Sequence, residues 1–123
     1  MATILVVEDE FGIAEVLASV LTDAGHGVIT AINGRQGLER LKETRPQLVL
    51  LDFMMPVLDG PAMLRIMRSS PEGHDIPAII MSSLPEPAVA EAVSGMYSGF
   101  IRKPFKLRAV IDMVERVLNG SSE

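Results

Sequence analysis

The chain has no cysteine and no tryptophan, and only one tyrosine and four phenylalanines among its 123 residues. Without cysteine there is no disulfide framework, no thiolate nucleophile and no cysteine-rich zinc site. No stretch approaches the roughly 20 apolar residues that cross a bilayer. No basic segment precedes the apolar start Met1-Ala2-Thr3-Ile4-Leu5, so nothing there reads as a signal peptide, and a cytoplasmic location is expected. No basic patch dominates either. The formal charge is −5, which disfavours direct nucleic-acid binding. Linkers, internal repeats and low-complexity tracts are absent. What is present is a 48% hydrophobic chain of a size that folds as one domain. The expected core covers about residues 3–118, followed by a short polar tail at 119–123.

Apolar periodicity divides the chain into alternating strands and helices. Thr3 to Val7 reads as a buried strand, followed by a helix with Ile13, Val16, Leu17, Val20 and Leu21 on one stripe. Gly25 and Gly27 stop that helix. Val28, Ile29 and Thr30 are β-branched and mark a strand from Gly27 to Ala31. Asn33-Gly34 starts a second helix that Pro46 ends, with Leu38 and Leu41 inward. A strand from Gln47 to Leu51 follows. A third helix is expected from about Gly60 to Ser69, with Met63, Leu64, Ile66 and Met67 toward the core. Strands from Ile76 to Met81 and from Ser98 to Arg102 flank a short helix over Pro87 to Val93. The last helix carries Leu107, Val110, Ile111, Val114, Val117 and Leu118. His26 and His74 read as residues of polar, Gly-flanked loops. The methionines read mostly as core filler.

Five strand–helix repeats imply an α/β fold, a doubly wound parallel sheet with helices on both faces. Right-handed crossovers then bring every strand's C-terminal end to one edge, where such sheets bind ligands. The run Leu48-Val49-Leu50-Leu51-Asp52 delivers a carboxylate to that edge. The first strand delivers Glu8, Asp9 and Glu10, the fourth Ser82 and Ser83, and the fifth Lys103. Glu10 is read only as a solvated cap of the first helix. Carboxylates gathered at one place repel each other, and a divalent cation such as Mg²⁺ offsets them with oxygen ligands. Asp9, Asp52 and a backbone carbonyl after Asp52 are candidate ligands. With an ammonium and a hydroxyl nearby, the set suits a phosphoryl group. In the absence of cysteine, Asp52 is the best-placed nucleophile, through an acyl phosphate.

At these residues the chain resembles the receiver domains of two-component response regulators, the CheY-like family. Four motifs carry the resemblance: Ile4-Leu5-Val6-Val7-Glu8-Asp9-Glu10; Leu50-Leu51-Asp52-Phe53-Met54-Met55-Pro56 with Asp59-Gly60; Pro77 to Ser83; and Phe100-Ile101-Arg102-Lys103-Pro104-Phe105. It implies a flavodoxin-like three-layer sandwich with strand order 2-1-3-4-5 and five helices. It makes Asp52 the phosphoacceptor and Asp9, Asp52 and the Met54 carbonyl the ligands of Mg²⁺ (or Mn²⁺), with Glu8 acting through water. Lys103 and Ser82 become the phosphate-binding pair. Ser82 and Phe100 become the switch residues, and Met54 and Ser83 the positions that govern access and phosphoryl lifetime. The implied partners are a histidine kinase or phosphotransfer protein and a downstream target, with no membrane. The expectation is either a stand-alone regulator or a receiver whose effector domain has been removed. The implied activity is self-catalysed phosphoryl transfer and hydrolysis, without an enzyme's turnover of other substrates.

This sequence also departs from the family. Ser83 replaces a small residue, Phe100 replaces the frequent Tyr, and Gly95-Met96-Tyr97-Ser98-Gly99 lacks the usual Gly-Ala-Asp-Asp type. The interval from Ser82 to Phe100 is about one residue short, so the fourth helix is expected to be displaced, loose or shortened. An aspartate-nucleophile phosphatase would need a second Asp two residues after Asp9, where Phe11 stands. A flavin carrier would need Ser, Thr and Gly there rather than acids. A receiver-like adaptor that works without phosphorylation is the remaining alternative.

Overall fold

The computed structural model describes residues 2–120; of the expected tail at 119–123, residues 121–123 lie outside them. Ten elements alternate: β1 Thr3–Val7, α1 Phe11–Asp23, β2 Gly27–Ala31, α2 Gly34–Thr44, β3 Leu48–Asp52, α3 Gly60–Arg68, β4 Ala78–Ser82, α4 Glu86–Val93, β5 Gly99–Arg102 and α5 Leu107–Leu118. The strands form one parallel sheet in the order β2-β1-β3-β4-β5. The expected fold class and strand order are both present.

Strand alternation sorts the core into two layers. Leu5, Val7, Val49, Leu51 and Ile80 pack with Leu41 of α2, Met63, Leu64 and Met67 of α3, and Val89 and Val93 of α4. Ile4, Val6, Leu48, Leu50, Met81 and Ile101 face the other way, onto Leu17 and Leu21 of α1 and Val110 and Val114 of α5. Every residue of β3 and β4 is buried, which explains their unbroken apolar runs.

The structure corrects several boundaries and orientations. β3 and β4 each end one residue later than the apolar runs suggest, so Asp52 and Ser82 are the last residues of strands. Phe53 donates its N–H to Met81 at 2.8 Å and keeps Asp52 in the ladder. β4 starts at Ala78 rather than Ile76. Pro77 has no N–H to donate, and only its carbonyl joins the ladder, accepting from Val49 at 3.0 Å. Val16 and Ile66, both expected inside, are 47% and 46% exposed. Each lies about 100° around its helix from a buried neighbour, Leu17 or Met67, and the contact stripe is narrower than the apolar one. Leu107 is likewise exposed at the start of α5.

The short helix is indeed short. α4 has eight residues, with Val89 and Val93 fully buried one turn apart. Pro85 and Pro87 fix its start, and Ser94 (φ 38°) and Gly95 (φ 77°) end it with consecutive left-handed residues. Glu10 occupies the cap position of α1 but makes no capping bond with its side chain. Asp59, by contrast, caps α3 by accepting the Ala62 N–H at 2.9 Å.

His26 is buried, contrary to its polar loop setting. Its Nδ1 accepts the Ala2 N–H at 3.1 Å, which leaves Nε2 to donate to Glu115 of α5, also at 3.1 Å.

Candidate functional site

The C-terminal ends of β1, β3, β4 and β5 meet at an open cavity of about 330 Å³. It is lined by Asp9, Glu10, Asp52, Met54, Ser82, Ser83 and Lys103. Strand alternation accounts for which side chains converge. Glu8 lies two residues beyond Val6, Asp52 two beyond Leu50, and Lys103 two beyond Ile101. All three therefore continue the row that faces α1 and α5. Lys103 reaches across β4 and places Nζ 3.0 Å from Glu8 Oε1 and 3.0 Å from Asp52 Oδ1. Its peptide bond to Pro104 is cis.

Ligand oxygens of Glu8, Asp9 and Asp52 all lie within 4.8 Å of one another. Glu8 is fully buried, Asp52 is 5% exposed, and Asp9 faces solvent. Burial pushes the Glu8 carboxyl up from 4.5 to about 7, against the pull of the Lys103 hydrogen bond, with the nearby Asp52 charge adding to the rise. Burial also raises Asp52; Lys103 opposes the rise and Asp9 reinforces it. Desolvation pulls Lys103 down, but its bonds to the two carboxylates outweigh that and hold it above its ordinary value. Three acids face one lysine, and two of them resist ionisation. Such a set of hard oxygen donors fits Mg²⁺ or Mn²⁺, with one open side for further ligands.

The remaining candidates fall on both sides of the cavity. Ser82 is buried, and its Oγ accepts the Leu84 N–H at 2.9 Å. Ser83 is exposed at the rim, where its carbonyl accepts from Arg102 Nε at 2.9 Å. Met54 is 64% exposed and lines the cavity with the carboxylates. Phe100 is not in the cavity. It pairs with Ile80 in the ladder and packs half-buried in the layer beneath α2, α3 and α4. Ser82, two residues past Ile80, points to that same face.

The loop between β3 and α3 is shaped by close backbone approach. Gly60 donates to the Phe53 carbonyl at 3.0 Å, and a Cβ on Gly60 would sit 2.6 Å from the Asp52 carbonyl oxygen. Val57 adopts φ 71°, a left-handed conformation unusual for a β-branched residue. Among the polar side chains whose structural roles escaped the sequence reading, two stand out. One is His26. The other is Arg68, whose partners are all main-chain carbonyls and so carry no side-chain signature.

The model of the response regulator receiver domain family matches residues 4–115. The response regulator MprA of Mycolicibacterium vanbaalenii is 35% identical over 122 residues, covering 97% of this chain and 51% of that protein. A probable transcriptional regulator, ycf27 of Porphyra purpurea, is 36% identical over 98% of this chain and 49% of its own length. The chain thus spans about half the length of these curated relatives. Among solved structures, the receiver domain of a signal transduction histidine kinase from Syntrophus aciditrophicus superposes with a TM-score of 0.88 at 33% identity, covering 98% of this chain and 92% of that one. Chemotaxis protein CheY4 of Vibrio cholerae gives 0.90 at 26% identity, with 95% and 98% covered.

Proposed function

The chain belongs to the response regulator receiver domains of two-component systems, and from that premise we propose that Asp52 accepts a phosphoryl group from a histidine kinase or phosphotransfer protein. The observation that carries this is Lys103 bridging Asp52 and Glu8 across an intervening strand. It holds the acceptor at the mouth of an open cavity and leaves Asp9 free to face solvent.

In the proposed step, an Asp52 carboxylate oxygen bonds to phosphorus as the donor's P–N bond breaks. The electron pair leaves with the imidazole nitrogen, and an acyl phosphate remains. Lys103 turns from carboxylate to phosphoryl oxygen, and the Ser82 hydroxyl donates to another. Asp9, Asp52 and the Met54 carbonyl, with Glu8 through water, would hold Mg²⁺ or Mn²⁺, which would supply positive charge to the phosphoryl oxygens. Met54 and Ser83 at the rim set how easily water reaches the acyl phosphate, and so its lifetime. The added charge, about −1.5 to −2 for an ordinary phosphate monoester, draws Ser82 inward. Phe100 then moves into the space Ser82 leaves, and the surface of α4, β5 and α5 changes for a downstream target or effector domain.

The reading includes a single receiver domain over 1–123, a cytoplasmic location, no enzyme activity on other substrates and no direct nucleic-acid contact. Among the described residues no helix is long and apolar enough to cross a membrane. Intact-mass measurement with Mg²⁺ and acetyl phosphate tests the acceptor. The expected result is a gain of one phosphoryl group that Asp52→Asn abolishes. Equal labelling of the Asp52→Asn protein would overturn it.

A further inference from the structure

Arg68 is the last residue of α3 and takes no part in the acidic cavity. Its half-buried guanidinium binds only main-chain oxygen. Nη1 donates to the carbonyls of Ile76 at 2.6 Å, Gly73 at 2.9 Å and His74 at 3.4 Å. Nε and Nη2 both donate to the Met96 carbonyl, at 3.1 and 2.9 Å. The first group closes the loop after α3. The second reaches 28 residues along the chain to the connection between α4 and β5. That is the stretch where the sequence departs most from its family.

The two ends of α4 are held very differently. At its C-terminal end the chain turns sharply through Ser94 and Gly95, both left-handed, and is then fixed at Met96 by a charged, two-pronged bond. At its N-terminal end Ser82 Oγ accepts the Leu84 N–H, and Glu86 accepts an exposed bond from the Tyr97 hydroxyl at 2.9 Å. Movement of Ser82 Oγ itself toward a phosphoryl group would draw it away from the Leu84 N–H.

We infer that Arg68 is a positioning residue that makes the C-terminal end of α4 a pivot. Release of Leu84 by Ser82 then swings the N-terminal end and parts Glu86 from Tyr97. An eight-residue helix is about 12 Å long, so a swing of roughly 10° moves its free end by about 2 Å, enough to break that bond. The inference rests on the reading of Asp52 as phosphoacceptor, which supplies the trigger.

Tyr97 is the chain's only tyrosine, and tryptophan is absent, so intrinsic emission reports this segment alone. The test follows two signals after addition of Mg²⁺ and acetyl phosphate: intact mass for phosphorylation and Tyr97 emission for movement. Wild type should gain one phosphoryl group and change its emission. Arg68→Met keeps the aliphatic stem but no donor; it should gain the same mass yet lose most of the emission change. Arg68→Lys, which still reaches a carbonyl, should recover part of it. Glu86→Ala should show the altered emission before phosphorylation and little further change. A full emission change in Arg68→Met would overturn the pivot. If that variant does not fold, an undiminished change in Arg68→Gln, which lacks the charge and the two-pronged bond, overturns it equally, as does a phosphorylated wild type whose emission does not change. No mass gain in wild type would instead sink the phosphoacceptor reading itself.

Discussion

Glu8 is a fully buried acid whose only charged hydrogen-bond partner, Lys103, is shared with Asp52. Its folded pKa of about 7 lies above the ordinary 4.5. The folded state therefore binds more protons than the unfolded one between those values. Stability from this group is fully present below about 4.5 and is lost as pH rises through about 7. Urea unfolding in metal-free buffer should show stability falling across that window, by at most about 1.4 kcal/mol per pH unit, and Glu8→Gln should flatten the slope. Lys103→Met removes the one charge that opposes both rises. Asp52 should titrate higher still by carboxyl NMR, and phosphorylation by acetyl phosphate should slow roughly a hundredfold. That Asp52, Asp9 and Lys103 meet at one edge was legible because each lies at or just past the C-terminal end of a parallel strand. His26 was not legible, since its partner Glu115 is 89 residues away and nothing local announces it. Arg68 was hidden for another reason: every residue offers the carbonyl it binds.

Elements show the same split between local and distant causes. β1 and β2 fall at the residues their local runs indicate, with Glu8 just past the end of β1 and Gly27 at the start of β2. The ends of β3 and β4 depend on ladder partners in other strands, so the apolar run alone misplaced them by a residue. The exposure of Val16 and Ile66 reflects how narrowly α1 and α3 touch the sheet, which no single-helix pattern contains. Glycines divide in the same way. At Gly60 an added Cβ would meet the backbone of Asp52 and Phe53 at 2.6 to 3.0 Å. Gly60→Ala should cost about 1–3 kcal/mol in urea unfolding, and it should also slow phosphorylation by shifting the acceptor loop. At Gly12, in the exposed first turn of α1, nothing lies within 4 Å. Gly12→Ala should stabilise by about 0.5–1 kcal/mol and leave phosphorylation unchanged.

Across the whole molecule, the three carboxylates come from two strands, β1 and β3, that are 44 residues apart in sequence but adjacent in the sheet. The unfolded chain cannot gather them, so a cation that prefers the cluster binds the native state alone. Mg²⁺ at a hundredfold excess over its dissociation constant should therefore add about 2.7 kcal/mol to unfolding. Thermal melts at increasing Mg²⁺ should rise for wild type and stay level for Asp9→Asn. The fold's layers and the edge that carries the site were legible from the alternation of elements; the strand order came from family resemblance. Which residues share a face at that edge depended on ladder registers that the sequence leaves open. One last consequence belongs to His26. Its ring joins Ala2, ahead of β1, to Glu115, near the close of α5, at the edge opposite the carboxylates. One imidazole thus brackets the beginning and the end of the described chain. A circular permutant that splices those ends by a short linker and reopens the chain in the partly exposed Ser69–Glu72 turn would preserve the sheet order and the acidic cavity, but cut the covalent route between α3 and the carbonyls that Arg68 holds.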